Sequence, residues 1–236
     1  GGTQLVLVVG TYNNFALDGI VAIGGEDTLG VAHRFCHPDY GLKIAGVPKT
    51  MDNDLSGTDY TFGFWSAVSR ATAFIDDLVS TARAHRRILV VELFGRHVGW
   101  VSLYAGVAAD ADWILIPEIP VDLDRMCERL QKVYKEKLYA IVVASEAIDL
   151  GEEMSASEVD VFGHERLITK GVGDQVAKAI EKMTEIETRA VVPGHLVRVG
   201  DAVPEDRFIA IRTARRAVEM LEEGKYDHMA GIVNGE

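Results

Sequence analysis

The residue types best suited to chemistry fall between positions 46 and 64, GVPKTMDNDLSGTDYTFGF. Lys49 offers a positive charge for a phosphate, Thr50 a hydroxyl donor, and Asp52 and Asp54 two carboxylates that share a face if the backbone is extended. One carboxylate of such a pair can take a proton from a substrate hydroxyl while the other helps to hold a metal. The same composition also suits a turn, where Asp and Asn bond their own backbone. A second candidate stands earlier, in Gly24-Gly25-Glu26-Asp27-Thr28. Adjacent glycines let a phosphate approach main-chain N–H groups, and a helix N-terminus favours an anion. Two acids there would repel a bare phosphate, so Glu26 reads as a magnesium ligand, directly or through water. The alternative is a strand-to-helix turn whose acids complement the helix dipole.

Three further groups carry usable chemistry. Gly95-Arg96-His97 follows an apolar run that begins just after Arg86 and Arg87, and arginine suits bidentate recognition of phosphate or carboxylate. The segment TRAVVPGHLVRVGDAVPEDR places Arg189, His195 and Arg198 around another run. Glu146 ends an apolar stretch, where it either accepts hydrogen bonds from a polyol or caps a loop. Singly, each arginine also reads as a solvated surface charge and His195 as a core or turn residue.

To position these groups the chain needs strands that end at each of them, since ligands of open α/β sheets bind at the carboxyl ends of strands. Apolar runs predict strands at Gln4 to Val9, Asp18 to Ile23, Leu42 to Val47, Ile88 to Leu93, Trp113 to Ile116, Tyr139 to Ala144, Arg189 to Val192 and His228 to Val233. The first two are joined by TYNNFA, too short for a parallel crossover, so either they pair antiparallel or an element between them is missing. Helices are predicted from Thr28 to Cys36, from Phe62 to His85 with Phe64, Val68, Ala71, Ile75, Leu78 and Val79 on one stripe, and up to Ala109. Others begin at Asp122 as N-cap, with Leu123, Met126, Leu130 and Val133 at helical spacing, and run over Asp174 to Met183 and Asp206 to Glu223. Residues 147–170 read as a long surface loop. Strands separated by helices mean an α/β fold with a mostly parallel sheet, and the turns after Ile23 and Val47 are expected side by side at one sheet edge.

Composition narrows the class. An apolar content of 48% is ample for a core, no run reaches the roughly 20 apolar residues of a bilayer span, and no basic-then-apolar leader is present. A net charge of −12 argues against nucleic acid as a partner, although not against a local arginine cluster around a phosphate. Cys36 and Cys127 are too few for a disulfide framework and read as reduced core thiols of a soluble cytoplasmic protein.

Taken in order, GGEDT, PKTMDNDLSGTDYTFGF, VVELFGRHVGW, WILIPE, Glu146, ETRAVVPGHLVR and the closing EGKYDHMAGI resemble the 6-phosphofructokinase family over nearly the whole chain from about residue 18. The resemblance implies two Rossmann-like α/β lobes with mostly parallel sheets. Residues 1–63 with 197–236 would take the phosphoryl donor and residues 64–196 the sugar phosphate, with closure between them excluding water. Asp52 would be the base that takes the proton from the 1-hydroxyl of fructose 6-phosphate. Arg96 would stabilise the transferring phosphoryl, Thr50 would help to hold it, and Glu26 with Asp54 would bind Mg2+. Gly25 and Thr28 belong to the donor turn, and Gly95, in the turn that carries Arg96, would help to bind the substrate. Glu146 would bind sugar hydroxyls, His195 and Arg198 the sugar phosphate, and Arg87 and Arg189 would reach it from a neighbouring subunit of a homodimer or homotetramer. Asp27, where the ATP-using form usually has glycine, together with Lys49 resembles the pyrophosphate-dependent branch. An ATP-dependent enzyme and a noncatalytic or regulatory subunit are the alternatives.

The chain also departs from the family pattern. The family's first strand and glycine-rich loop find no match, and TYNN lacks the donor-contacting serine and arginine expected near it. Phe94 stands for the usual methionine, Ser145-Glu146-Ala147 for Ala-Glu-Gly, and residues 193–202 alter a segment usually written LGHxQRGGxP. There Val199 replaces a glycine, which raises the question of a positive φ angle or a close backbone approach.

Overall fold

The computed structural model describes residues 2–150, 157–159, 165–167 and 171–235. The chain divides into two compact units, Gly1–Trp65 with Ala202–Glu236, and Ser66–Asp201.

In the first unit, helix α1 (Gly2–Asn14) leads into strand β1 (Ile20–Gly24), helix α2 (Glu26–Cys36), strand β2 (Ile44–Thr50) and the short strand β3 (Phe62–Gly63). Helix α7 (Pro204–Glu222) and strand β10 (His228–Met229) return to the same unit. The order is β1-β2-β10, with β3 pairing the last two residues of β2, and every pair is parallel. Strand alternation sends Ile44 to one face, with Ala32, Phe35 and Leu42, and sends Ala45 and Val47 to the other, with Ala217 and Met220. Both faces are therefore covered, as a parallel sheet requires.

The strand expected at Gln4 to Val9 is part of α1 instead. A short apolar run does not distinguish helix from strand by periodicity, and packing decides. Val9 and Tyr12, three residues apart on the helix, pack against the Phe35 cluster, while Leu7 and Phe15 stay exposed. A helix entering β1 needs no crossover, which removes the difficulty with the short link.

Helix α3 (Phe64–His85) passes from the first unit into the second, which continues with β4 (Ile88–Leu93), α4 (Trp100–Ala108), β5 (Trp113–Leu115), α5 (Leu123–Lys137) and β6 (Ala140–Ser145). Strands β7 (Ser157–Val159) and β8 (Glu165–Leu167), helix α6 (Val172–Thr184), strand β9 (Thr188–Val191) and a 3-10 turn (Gly194–Arg198) complete it. The main sheet has the order β5-β6-β4-β9 and is parallel throughout. Ile88, Val90, Val142 and Ala144 pack on Met126, Leu130 and Val133 of α5 and on Val176 and Ile180 of α6. Asp122 caps α5 as expected, its carboxylate accepting from Arg125 N at 3.0 Å. Within the segment expected to be a loop, β7 and β8 pair antiparallel; the rest of 151–170 lies outside the described residues. The last predicted strand shortens to β10, because residues 230–235 turn back onto the acidic loop. No helix among the described residues is long and apolar enough to cross a membrane.

Candidate active site

Parallel pairing of β1 with β2 sets Gly24 opposite Pro48, so the GGEDT and KTMDND turns leave the sheet side by side, as expected. A Cβ built on Gly25 would stand 3.4 Å from Thr50 Cβ. Gly24 is glycine for a different reason, since a Cβ there would overlap the Thr28 side chain. Glu26, Asp27 and Thr28 are exposed on the first turn of α2, where no side chain caps the helix and acids complement its dipole. Lys49 is exposed at the end of β2, and Thr50 is half-buried with its Oγ1 accepting from Asp52 N at 3.1 Å.

The backbone between the two carboxylates is not extended. Asn53 has φ +56°, so Asp52 and Asp54 do not share a face by strand alternation, and the expectation built on an extended segment fails there. Asn53 Oδ1 accepts from Thr61 N at 2.8 Å, its Nδ2 donates to Asp59 O at 3.3 Å, and Thr61 Oγ1 donates to Thr50 O at 2.8 Å. From outside, Asp59 N donates to Ile232 O at 2.6 Å and Ile232 N to Thr58 Oγ1 at 3.1 Å. Tyr60 packs on Phe64 and Trp65 at the start of α3, with centroids 6.0 and 5.0 Å away. Asn53 is thus a turn former.

Asp54 Oδ1 is buried with no hydrogen-bond partner among the described residues. No group of three His, Cys, Asp or Glu among them could hold a metal ion. Magnesium asks less of a protein, because it is bound by one or two carboxylates together with substrate phosphates and water. Asp54, with an unsatisfied buried oxygen, and Glu26, exposed at a turn, fit that limited role.

In the second unit the turn after β4 is built around Gly95. A Cβ there would strike Val98 O and come within 3.0 Å of Ser145 Oγ. Gly95 N donates to Glu146 Oε1 at 3.3 Å and Glu146 N to Leu93 O at 2.9 Å, so the ends of β4 and β6 are tied together. Arg96 is half-buried in the same turn. Phe94 meets His195 edge-on at 5.5 Å between ring centroids and lies 4.4 Å beneath the Arg198 guanidinium carbon. The departure at Phe94 therefore gathers two of the predicted phosphate-binding residues, which the 3-10 turn presents. Val199 is extended, with φ −99° and ψ 162°, and is unstrained; the positive φ belongs to Gly200, at +81°.

Arg87 and Arg189 sit at the opposite end of this sheet. Glu187 Oε1 lies 3.4 Å from Arg87 Nη2 and 3.0 Å from Arg189 Nη2, while Arg87 Nε is buried without a hydrogen-bond partner among the described residues. Sequence reasoning missed two carboxylates that hold helix starts in place. Glu92 Oε2 accepts from Gly173 N at the start of α6 at 2.6 Å, and Glu118 Oε1 from Gly99 N at the start of α4 at 2.8 Å. The signal for Glu92 was an acid inside an otherwise apolar strand. Cys127 is buried and Cys36 half-buried; both are free, and burial pushes both thiols up, away from thiolate chemistry. A cavity of about 180 Å³ between α2 and β10, edged by His33, Cys36 and Asp227, contains none of the predicted site residues.

A family model described as phosphofructokinase matches residues 4–221. A pyrophosphate--fructose 6-phosphate 1-phosphotransferase of Amycolatopsis methanolica is 46% identical over 236 residues, covering 98% of this chain and 67% of its own. An ATP-dependent 6-phosphofructokinase of Corynebacterium efficiens is 41% identical, covering 92% of this chain and 62% of its own. The chain thus spans about two thirds of the length of these curated relatives. Among solved structures, phosphofructokinase from Saccharomyces cerevisiae superposes with a TM-score of 0.79 at 28% identity, over 94% of this chain and 31% of that one.

Proposed function

The chain belongs to the phosphofructokinase family, and from that premise we propose that it moves a phosphoryl group from pyrophosphate to the 1-hydroxyl of fructose 6-phosphate, a step of glycolysis. The observation that carries this reading is the β1–β2 register, which sets the Glu26-Asp27-Thr28 turn beside Lys49, Thr50 and Asp52. The first unit takes the donor and the second the sugar phosphate.

Asp52 accepts the proton of the 1-hydroxyl, whose oxygen forms the new bond to phosphorus as the bond to the departing phosphate breaks. Phosphoryl transfer depends mainly on positioning and electrostatics, so Thr50 holds the moving group and Arg96 balances its charge. Glu26 and Asp54 hold magnesium, which when bound neutralises phosphate charge. Glu146 receives sugar hydroxyls, and His195 and Arg198, gathered on Phe94, receive the 6-phosphate.

Arg87 immediately precedes β4 and Gly95 lies in the turn beyond it, with the six strand residues Ile88–Leu93, about 17 Å at strand spacing, between them. One sugar phosphate cannot span that length, which supports the reading that Arg87 and Arg189 serve the ligand of a second copy in a homodimer or homotetramer. Asp27 on the donor turn disfavours the additional phosphate charge of a nucleotide, and Lys49 offsets the carboxylate; this is the basis for choosing pyrophosphate. Two reduced thiols suit a cytoplasmic protein.

The test is formation of fructose 1,6-bisphosphate from fructose 6-phosphate and magnesium, with pyrophosphate and ATP in parallel. Turnover with pyrophosphate is expected. Turnover with ATP alone would keep the transferase and overturn the donor assignment, and silence with both from a folded oligomer would point to a noncatalytic subunit.

A further inference from the structure

We propose that Asn53 and Thr61 form a clamp that positions Asp52 relative to Asp54, and that this clamp sets the rate of phosphoryl transfer without touching substrate. The proposal rests on the reading of Asp52 as the base. On a strand, residues i and i+2 point the same way for free, but the +56° φ of Asn53 cancels that relation, so the relative direction of the carboxylates follows from the Asn53 torsions. Asparagine tolerates this conformation because its short side chain bonds locally, and here the bonds form a closed circuit. Asp52 N donates to Thr50 Oγ1, Thr61 N donates to Asn53 Oδ1, and Thr61 Oγ1 donates to Thr50 O, returning to the residue where the circuit began.

Several features separate this circuit from ordinary turn bonding. Thr61 is fully buried, at 0% exposure, so water cannot replace a lost partner. Its hydroxyl lies 2.8 Å from Thr50 O and 3.3 Å from Asn53 Oδ1, and its single proton goes to the nearer acceptor. Thr50 and Thr61 are also held by the sheet, since Thr50 ends β2 and the residue after Thr61 begins β3, with Lys49 opposite Phe62. The acidic turn is therefore fixed at both ends by parallel pairing and in the middle by Asn53. Both side chains are neutral, and neither carries a role in the proposed chemistry.

The experiment compares the unchanged chain with Thr61→Val, Thr61→Ser and Asn53→Gly, using donor assays and crystal structures. Valine keeps the shape of Thr61 and its N–H but loses the hydroxyl. Glycine keeps access to positive φ but loses the Asn53 side chain, and it provides a second variant should Thr61→Val fold poorly. Expected are at least tenfold losses of kcat for Thr61→Val and Asn53→Gly, with KM for fructose 6-phosphate within twofold, and recovery to within threefold in Thr61→Ser. The structures should show the Asp52 carboxylate displaced by about an ångström or more in the first two variants and unmoved in the third, a scale at which misplacement costs rate. Unchanged kcat, a loss confined to KM, or carboxylates that stay in place would overturn the clamp. If the unchanged chain transfers no phosphoryl group from either donor, the functional reading fails, and the carboxylate positions in the variants alone decide whether the clamp stands.

Discussion

In the first unit two carboxylates depend on one left-handed residue and a ring of side-chain-to-backbone hydrogen bonds, whereas in the second the candidate groups sit at strand ends, and three separate carboxylates hold a strand-end turn and two helix starts in place. Glu92, Glu118 and Glu146 each accept from the backbone amide of a different glycine, Gly173, Gly99 and Gly95. A strand end fixed by its own ladder needs only a local brace, while a loop eleven residues long between Thr50 and Phe62 must supply its own framework (62 − 50 − 1 = 11). The acidic loop therefore concentrates its geometry in few interactions, and the strand-end cluster spreads it over many. Changes in the first should register mainly in rate, and changes in the second in stability or sugar-phosphate affinity.

The largest effect expected from this contrast is that of Asp52→Ser. Loss of the base should lower kcat by about 10²–10⁴-fold, with thermal unfolding unchanged; full turnover in a folded variant would remove Asp52 from its role. Gly95→Ala should act on the other side of the comparison. Its Cβ has no room against Val98 O, so unfolding in urea should show a loss of about 2–4 kcal/mol, and a variant as stable as the parent would show that the turn yields.

Asp27→Gly tests the donor turn. Removing one repulsive carboxylate should raise the ATP-to-pyrophosphate ratio of kcat/KM about tenfold, equivalent to ~1.4 kcal/mol; an unmoved ratio would sink the charge argument. Phe94→Ala should raise KM for fructose 6-phosphate by about threefold to tenfold, the scale of one cation–π contact, with kcat little changed. A fall in kcat at constant KM would instead assign Phe94 to the transfer step.

The smallest effect belongs to Arg216 and Glu223 on and just after α7. Hydrogen bonds from Arg216, and then from Lys225, hold the Glu223 carboxyl down at about 2. A depressed carboxyl adds stability that is complete above its ordinary range and is lost as pH falls towards about 2. Both groups are solvent-exposed, so Glu223→Gln should shift Tm at neutral pH by no more than about 1 °C, and a larger drop would show that α7 depends on its surface charges.

Much of this was legible in the amino-acid order. Strand β4 was read at its observed limits because Ile88 to Leu93 is an apolar run bounded by arginine and a glycine turn, and α5 was read with its cap because Asp122 precedes a helical stripe. The run at Gln4 to Val9 was misread, since LVLVV fits either period and only the contacts of Val9 and Tyr12 distinguish helix from strand. Glu92 and Glu118 were missed because their partners lie 81 and 19 positions away.

By itself the sequence determined the family, the alternation of strands and helices, and the residue types able to act as base, cation ligand and phosphate receptor. These are properties of side-chain chemistry and local periodicity, which need no partner to be read. Tertiary structure alone decided that Asn53 turns the chain out of the strand path, that Phe94 gathers His195 and Arg198, and that the positive φ falls on Gly200 while Val199 stays extended. Each of these depends on groups distant in sequence that meet only once the sheets have paired and the backbone torsions are fixed.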